Sequence, residues 1–252
     1  MVTWEIALYI SDRVHYEGIN NYGDGYRAQS RAKTYIEGAF EVIRNEYSNG
    51  SDYYVDILEP TETVPAPQSA IRDSFTANYP CHGIDQEISY DNLVQWFSDW
   101  TSCSTDRVRA NNCTVLLTYG STPGGGIGQT SGDKDYLHAG ISAGKFLGDL
   151  PSTYNRYRSK SIDSYDAMGT VMHEIGHSLQ SFNGEKDGEG DGMHHDVGFY
   201  DSSKDSLTPM GINGSINECG DPNGNRSQIE LCWSECAVNH WDYDNDNDPD
   251  NI

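Results

Sequence analysis

Positive charge is scarce in this chain: 16 Lys and Arg stand against 39 Asp and Glu in 252 residues, and the formal net charge is −23. Such a surface repels nucleic acids and anionic membranes, so we expect neither as a partner. No apolar run approaches the roughly 18 residues of a membrane-spanning helix. The first residues lead directly into an apolar segment without a secretory signal, which indicates a mature or trimmed form.

Lysine and aliphatic residues are few, whereas aspartate is abundant. This balance favours an acidic surface suited to high salt, where counter-ions screen self-repulsion, and so a halophilic source. The alternative is a set of Ca²⁺ sites, for which Asp187, Glu189, Asp191 and the tail Asp242–Asp250 are candidates. The tail lacks the turn glycine and distal glutamate of a calcium loop, so we expect it to be solvated and disordered.

The cysteine count is even, which suggests disulfide bonds and an oxidising compartment. The six are Cys81, Cys103, Cys113, Cys219, Cys232 and Cys236. A Cys103–Cys113 loop is locally plausible, and Cys219 could pair with Cys232 or Cys236, so we expect few or no free thiols. An alternative is a structural zinc held by Cys219, Cys232, Cys236 and His240, because the last three are spaced along one helical face.

The apolar pattern of the first half alternates between the periods of strands and of helices. Strands are predicted at Trp4–Ile10, Tyr53–Leu58 and Thr114–Tyr119, and helices at Arg27–Tyr47 and Asp91–Trp100. This succession predicts an α/β fold.

The most informative motif is H-E-x-x-H, at His173, Glu174 and His177. Apolar residues recur every three to four positions over 162–182, which predicts a helix between the candidate N-caps Ser161 and Asp163 and the stop at Asn183–Gly184. Imidazoles four residues apart on a helix share one face and can bind a single Zn²⁺. The glutamate beside them can then serve as general base toward a zinc-activated water.

A catalytic zinc needs a third protein ligand and one open position. After the glycine-rich loop that follows the helix, the first imidazoles are His194 and His195. We prefer His195 as the third ligand, with His194 as its alternative, since neighbours in an extended segment point to opposite sides. An acidic ligand is the rival, from Glu185, Glu189 or Asp196.

Together with the tight turn Thr208–Gly211, these residues resemble the metzincin clan of zinc endopeptidases. Metzincins place a methionine turn beneath the zinc as a hydrophobic floor, and the resemblance implies this role for Met210. The chain departs from the usual extended motif, whose glycine and third ligand would fall at Gln180 and Asn183. The resemblance therefore implies a third ligand from beyond the acidic loop.

The resemblance implies a twisted mixed sheet packed on two long helices, the active-site helix at the cleft, and an irregular, disulfide-containing C-terminal subdomain. We expect one catalytic domain over residues 1–240, divided near residue 183, followed by an acidic tail over 241–252. Metzincins bind extended substrate along an edge strand, a role that the segment Pro123–Gln129 could fill.

The expected function is a secreted, monomeric zinc endopeptidase that hydrolyses protein or peptide substrates, with Zn²⁺ held by His173, His177 and His195 and Glu174 as general base. Tyr200 or His194 could stabilise the oxyanion. Two alternatives stay open: an inactive binding or adhesion module that retains the fold, and a zinc hydrolase of a non-peptide amide.

Overall fold

The computed structural model describes residues 2–48, 50–68, 70–81, 85–119, 128–133, 136–159, 161–179, 200–201, 206–212, 227–239 and 241. The strands are β1 Val2–Ile10, β2 Tyr53–Leu58, β3 Phe75–Asn78, β4 Glu87–Tyr90, β5 Cys113–Leu117, β6 Gly128–Asp133, β7 Tyr136–Ile141, β8 Tyr157–Ser159, β9 Tyr200–Asp201, β10 Ser206–Leu207 and β11 Gln228–Glu230. The α-helices are α1 Asp12–Tyr22, α2 Arg27–Glu46, α3 Leu93–Ser102, α4 Gly144–Leu147, α5 Asp163–Leu179 and α6 Glu235–Asn239, with short 3₁₀ turns at Gly50–Asp52 and Pro209–Ile212.

The main sheet has the strand order β2-β1-β5-β7-β6. The first four strands are parallel, and β6 pairs antiparallel with β7 at the edge. Parallel neighbours need crossover connections, which α1 and α2 provide between β1 and β2 and α3 provides on the way to β5. The predicted α/β class is confirmed, and all five elements predicted in the first half are present, with ends that differ by a few residues.

The two long helices, α2 and α5, pack in one core against the same face of the sheet. Alternate residues of β1 face them, from Trp4 to Ile10, because successive strand side chains point to opposite faces. On α2 the buried apolar positions recur every three or four residues. They are Ala28, Ala32, Tyr35, Ile36, Ala39, Phe40 and Ile43.

The opposite face of the sheet is covered by α3, and Tyr9 of β1 and Leu116 of β5 belong to this second core. Asn92 caps the helix by accepting a hydrogen bond from the Gln95 amide at 3.0 Å. Five apolar residues of α3 are then buried within two turns. They are Leu93, Val94, Trp96, Phe97 and Trp100.

The C-terminal part returns to the first core. Strands β8-β11-β10-β9 form a small second sheet. Trp241, the first residue of the predicted acidic tail, is 1 % exposed and packs its ring against Trp4, Phe40 and Trp233 at centroid distances of 5.5–5.6 Å. The packed chain thus reaches Trp241, and residues 242–252 lie outside the described residues.

None of the helices in the described part is long and apolar enough to span a bilayer.

A disulfide bond joins Cys81 to Cys103, so the Cys103–Cys113 loop that the sequence made locally plausible is wrong. The reason is the sheet itself: Cys103 follows α3 on one face, whereas the side chain of Cys113 points to the α2 and α5 face. Cys232 is also unpaired and buried, which excludes a Cys219–Cys232 bond. Cys219, His240 and the side chain of Cys236 lie outside the described residues.

These two buried thiols lead to a first prediction. Burial raises the pKa of Cys113 and of Cys232 to about 12, so both stay protonated and unreactive in the folded protein. A thiol reagent should modify neither cysteine in the native protein. After denaturation without reductant it should modify at least these two. Replacing Cys113 by Ala should remove one of them. A denatured chain with no titratable thiol would contradict the structure.

Candidate metal centre

The helix α5 carries the H-E-x-x-H motif through the first core. Its first turn holds Asp163 and Asp166, whose charges suit the positive end of the helix dipole. Most of its side chains are buried, including those on both sides of the motif. The predicted helix over 162–182 is observed as Asp163–Leu179, and residues 180–199, with the predicted stop at Asn183–Gly184, lie outside the described residues.

The imidazoles of His173 and His177 converge. Their Nε2 atoms are 3.1 Å apart and the ring planes are at 85°. Two nitrogens bound to one tetrahedral zinc at ordinary bond lengths would be separated by about 3.3 Å. His173 is buried and His177 is partly exposed. The pair therefore has the donor atoms and the spacing that one zinc ion requires of two of its ligands.

The orientation of His173 is fixed from outside the helix. Its Nδ1 lies 2.9 Å from the carbonyl oxygen of Pro209. Because a carbonyl can only accept, Nδ1 must carry the proton and donate it, which leaves the lone pair of the neutral ring on Nε2. A hydrogen bond of this kind is the usual support of a metal-binding histidine. The motif gave no indication of this partner.

The turn that supplies the Pro209 carbonyl also contains Met210, which is fully buried. A Cβ on Gly176 would be only 2.3 Å from Met210 Sδ and 2.8 Å from Trp233 Nε1. The Trp233 indole instead donates to the carbonyl of Met172 at 3.1 Å. Glycine at position 176 thus lets the methionine turn and an indole reach the helix backbone between the two histidines.

Glu174 is 5 % exposed and lies in the same turn of α5. Behind it, Ser178 Oγ is 3.3 Å from the Glu174 carbonyl oxygen and 3.1 Å from Cys113 Sγ, so β5 supports this turn of the helix. Burial is the main cause of the raised pKa of Cys113, and the negative charge of Glu174 adds to it. A carboxylate beside two imidazoles can accept a proton at this place.

A third ligand is not found among the residues that the structure describes, where no group of three His, Cys, Asp or Glu side chains is placed to hold a metal. His195, His194 and the acidic alternatives Glu185, Glu189 and Asp196 all fall within 180–199, outside the described residues. The same holds for the candidate calcium ligands Asp187 and Asp191, and for the side chain of Tyr200.

The edge strand β6 packs against α5, the helix of the motif. Gly128 and Gln129, the end of the glycine-rich segment singled out in the sequence, open this strand, while residues 120–127 lie outside the described residues. Among the described strands β6 pairs with β7 alone, so in this part of the chain its other backbone edge is open to pairing.

Neither the protein-family models nor the curated proteins contain a match to this chain.

The contact between Gly176 and the methionine turn gives a second prediction. Gly176→Ala should lower the free energy of unfolding by about 1–3 kcal/mol, because the new methyl group overlaps Met210 and Trp233. It should also weaken zinc binding, since the turn that orients His173 is displaced. Denaturant unfolding and zinc titration measure the two effects.

The control is the double variant Gly176→Ala/Met210→Ala, in which the overlapping sulfur is gone. The alanine at 176 and the Met210 side chain need the same space. Adding Gly176→Ala to the Met210→Ala protein should therefore lower the free energy of unfolding by less than adding it to the parent. Strictly additive losses would contradict the described packing.

Proposed function

We propose that this chain is a zinc-dependent endopeptidase that resembles metzincins. The observation that carries the proposal is the pair of Nε2 atoms 3.1 Å apart, with His173 oriented by the carbonyl of the methionine turn. Two histidines one helical turn apart can arise by chance in a sequence. A backbone carbonyl that selects the metal-binding tautomer of one of them is an independent requirement, and it comes from the turn that the resemblance singled out.

His173 and His177 would hold the zinc, with His195 as the proposed third ligand. When bound at such a site, zinc polarises a substrate carbonyl and makes water nucleophilic at neutral pH. Glu174 then takes the proton of the attacking water and passes it to the leaving amine. Glu174 is buried, which would hold its carboxylate in place and limit its contact with bulk solvent.

The arrangement around α5 supports a peptide as substrate. An extended peptide can add to the outer edge of β6 by main-chain hydrogen bonds, which requires no particular side chain. Strand β6 packs against α5, so a peptide on this edge would lie on a strand that contacts the helix of the motif. The pairing of two long helices on one face of a mixed sheet also supports the resemblance to metzincins.

The expectations of secretion, a monomeric state and adaptation to high salt rest on composition. The charge of −23 continues to favour a salt-adapted surface. The disulfide Cys81–Cys103 fits an oxidising compartment, whereas the two buried thiols make the chain less dependent on disulfides than its cysteine count suggests.

A third prediction concerns the function as a whole. The purified protein should contain about one zinc per chain and should cleave casein. A chelator should stop the cleavage and added zinc should restore it, in low salt or in molar NaCl. Zinc without any cleavage would indicate a binding module on this fold, and a protein without affinity for zinc would overturn the proposal.

The role of Glu174 gives a fourth prediction. Glu174→Gln preserves the size of the side chain but removes the proton acceptor, so zinc content should persist while turnover falls at least about 10²-fold. The matched control is Glu37→Gln, the same change at an exposed position of α2. A Glu174→Gln protein with nearly parental turnover would exclude the residue as general base.

The third ligand gives a fifth prediction. His195→Ala should lose zinc affinity and activity together, because two histidines alone bind zinc poorly. His194→Ala, one residue away, should keep its zinc and serves as the matched control. Full zinc content in both variants would shift the assignment to an acid between Glu185 and Asp196.

A further inference from the structure

A cavity of about 440 Å³ lies where β8, β11 and the beginning of α5 meet. Arg158, Ser159, Ile162, Tyr165, Ser227 and Gln228 contribute to its wall. Its volume falls within the range of about 300–1,000 Å³ that is typical of small-molecule sites. It is separate from the proposed zinc site, because Tyr165 precedes His173 by eight residues, about 12 Å along the helix axis.

Arg158 is the unusual residue of this cavity. Its Nε is buried and has no hydrogen-bond partner in the described part of the chain. Nor does Arg158 form an ion pair with any of the described residues, although acids outnumber bases in this chain by 39 to 16. Arg156, two residues earlier, pairs with both Glu46 and Glu230. Arg158 therefore has no described carboxylate partner in a chain that is rich in carboxylates.

Arg158 is partly buried beside an aromatic ring. Its Cζ lies 5.4 Å from the centre of the Tyr165 ring, and Tyr165 is 8 % exposed. Burial raises the pKa of the neighbouring Tyr35 to about 12, and the positive charge of Arg158 opposes that rise. No described carboxylate balances the positive charge of Arg158, and a bound anion would balance it.

The lining indicates which anion fits. A guanidinium presents parallel N–H groups that match the two oxygens of a carboxylate. Ser159, Ser227 and Gln228 also line the cavity and have side chains that can donate hydrogen bonds. Its apolar lining comes from Tyr165 and from Ile162, which is 47 % exposed.

We propose that this cavity binds a carboxylate carried on an apolar group, with Arg158 as the anion-binding residue. Such a carboxylate could come from the C-terminus of a peptide or from a free carboxylic acid. Both offer the same chemistry to Arg158, and they differ in whether a preceding peptide chain adds contacts at the exposed rim.

Isothermal titration calorimetry of the full chain with three small-molecule probes tests this proposal. The probes are acetyl-leucine, acetyl-glycyl-glycyl-leucine and acetyl-leucine amide. Both acids should bind, and the neutral amide should bind at least about tenfold more weakly, since it lacks the charge that pairs with the guanidinium. Tighter binding of the longer acid identifies a peptide C-terminus as the ligand, whereas equal or weaker binding identifies a free acid.

Arg158→Gln should weaken binding of the acids at least about tenfold. The matched control Arg13→Gln removes the same charge from an exposed position of α1 and should leave binding unchanged. Ile162→Asp places a negative charge at an exposed point of the rim, so it should fold normally and repel the acids.

Equal binding of the acid and its amide would overturn the proposal, as would the absence of acid binding at millimolar concentration. Parental affinity in both Arg158→Gln and Ile162→Asp would overturn it as well. Arg158→Gln and Ile162→Asp leave His173 and His177 unchanged, so a loss of acid binding in these variants reports on the cavity and not on the zinc site proposed above.

Discussion

The hydrogen bond between His173 Nδ1 and the Pro209 carbonyl joins parts of the chain 36 residues apart. This hydrogen bond requires α5 and the methionine turn to be held in one arrangement, and packing in the first core holds them. Met210 and Trp233 pack against Gly176. Trp233 also contacts Phe40 of α2 and Trp241. The orientation of one imidazole thus depends on packing that reaches from the helix to the last described residue. A site supported in this way loses little entropy when it binds a metal.

Burial explains which parts of the fold could be predicted. Apolar patterns marked β1, α2, β2, α3, β5 and α5, because these elements bury one face or, as in β1 and β5, both faces. Helix α1 was missed since it buries only Val14 and Gly18, although Ser11 before it and Gly23 after it, at φ 71°, are ordinary helix caps. Strands β6 and β7 and the short strands of the second sheet are too brief or too polar for a period to stand out.

The residues of the candidate site also differ in whether the sequence could predict them. His173, Glu174 and His177 follow from spacing on one helix, which is local information. The Pro209 carbonyl, the approach of Trp233 and the pairing of Cys81 with Cys103 depend on which face of the sheet a side chain meets. The spacing of residues along the chain does not encode the face, and so the short Cys103–Cys113 loop was plausible from the sequence but is wrong. Glycine at 176 was the one local sign that another segment approaches the motif.

X-ray absorption at the zinc K-edge of the purified, zinc-loaded protein tests the central claim most directly, because it reports the ligand atoms without reference to activity. The account predicts a first shell of nitrogen and oxygen only, at about 2.0–2.1 Å, with the outer-shell scattering of at least two imidazoles. The same spectrum should lose imidazole scattering, or zinc altogether, in His173→Ala. A shell dominated by sulfur at about 2.3 Å would place the metal on cysteines and contradict the account.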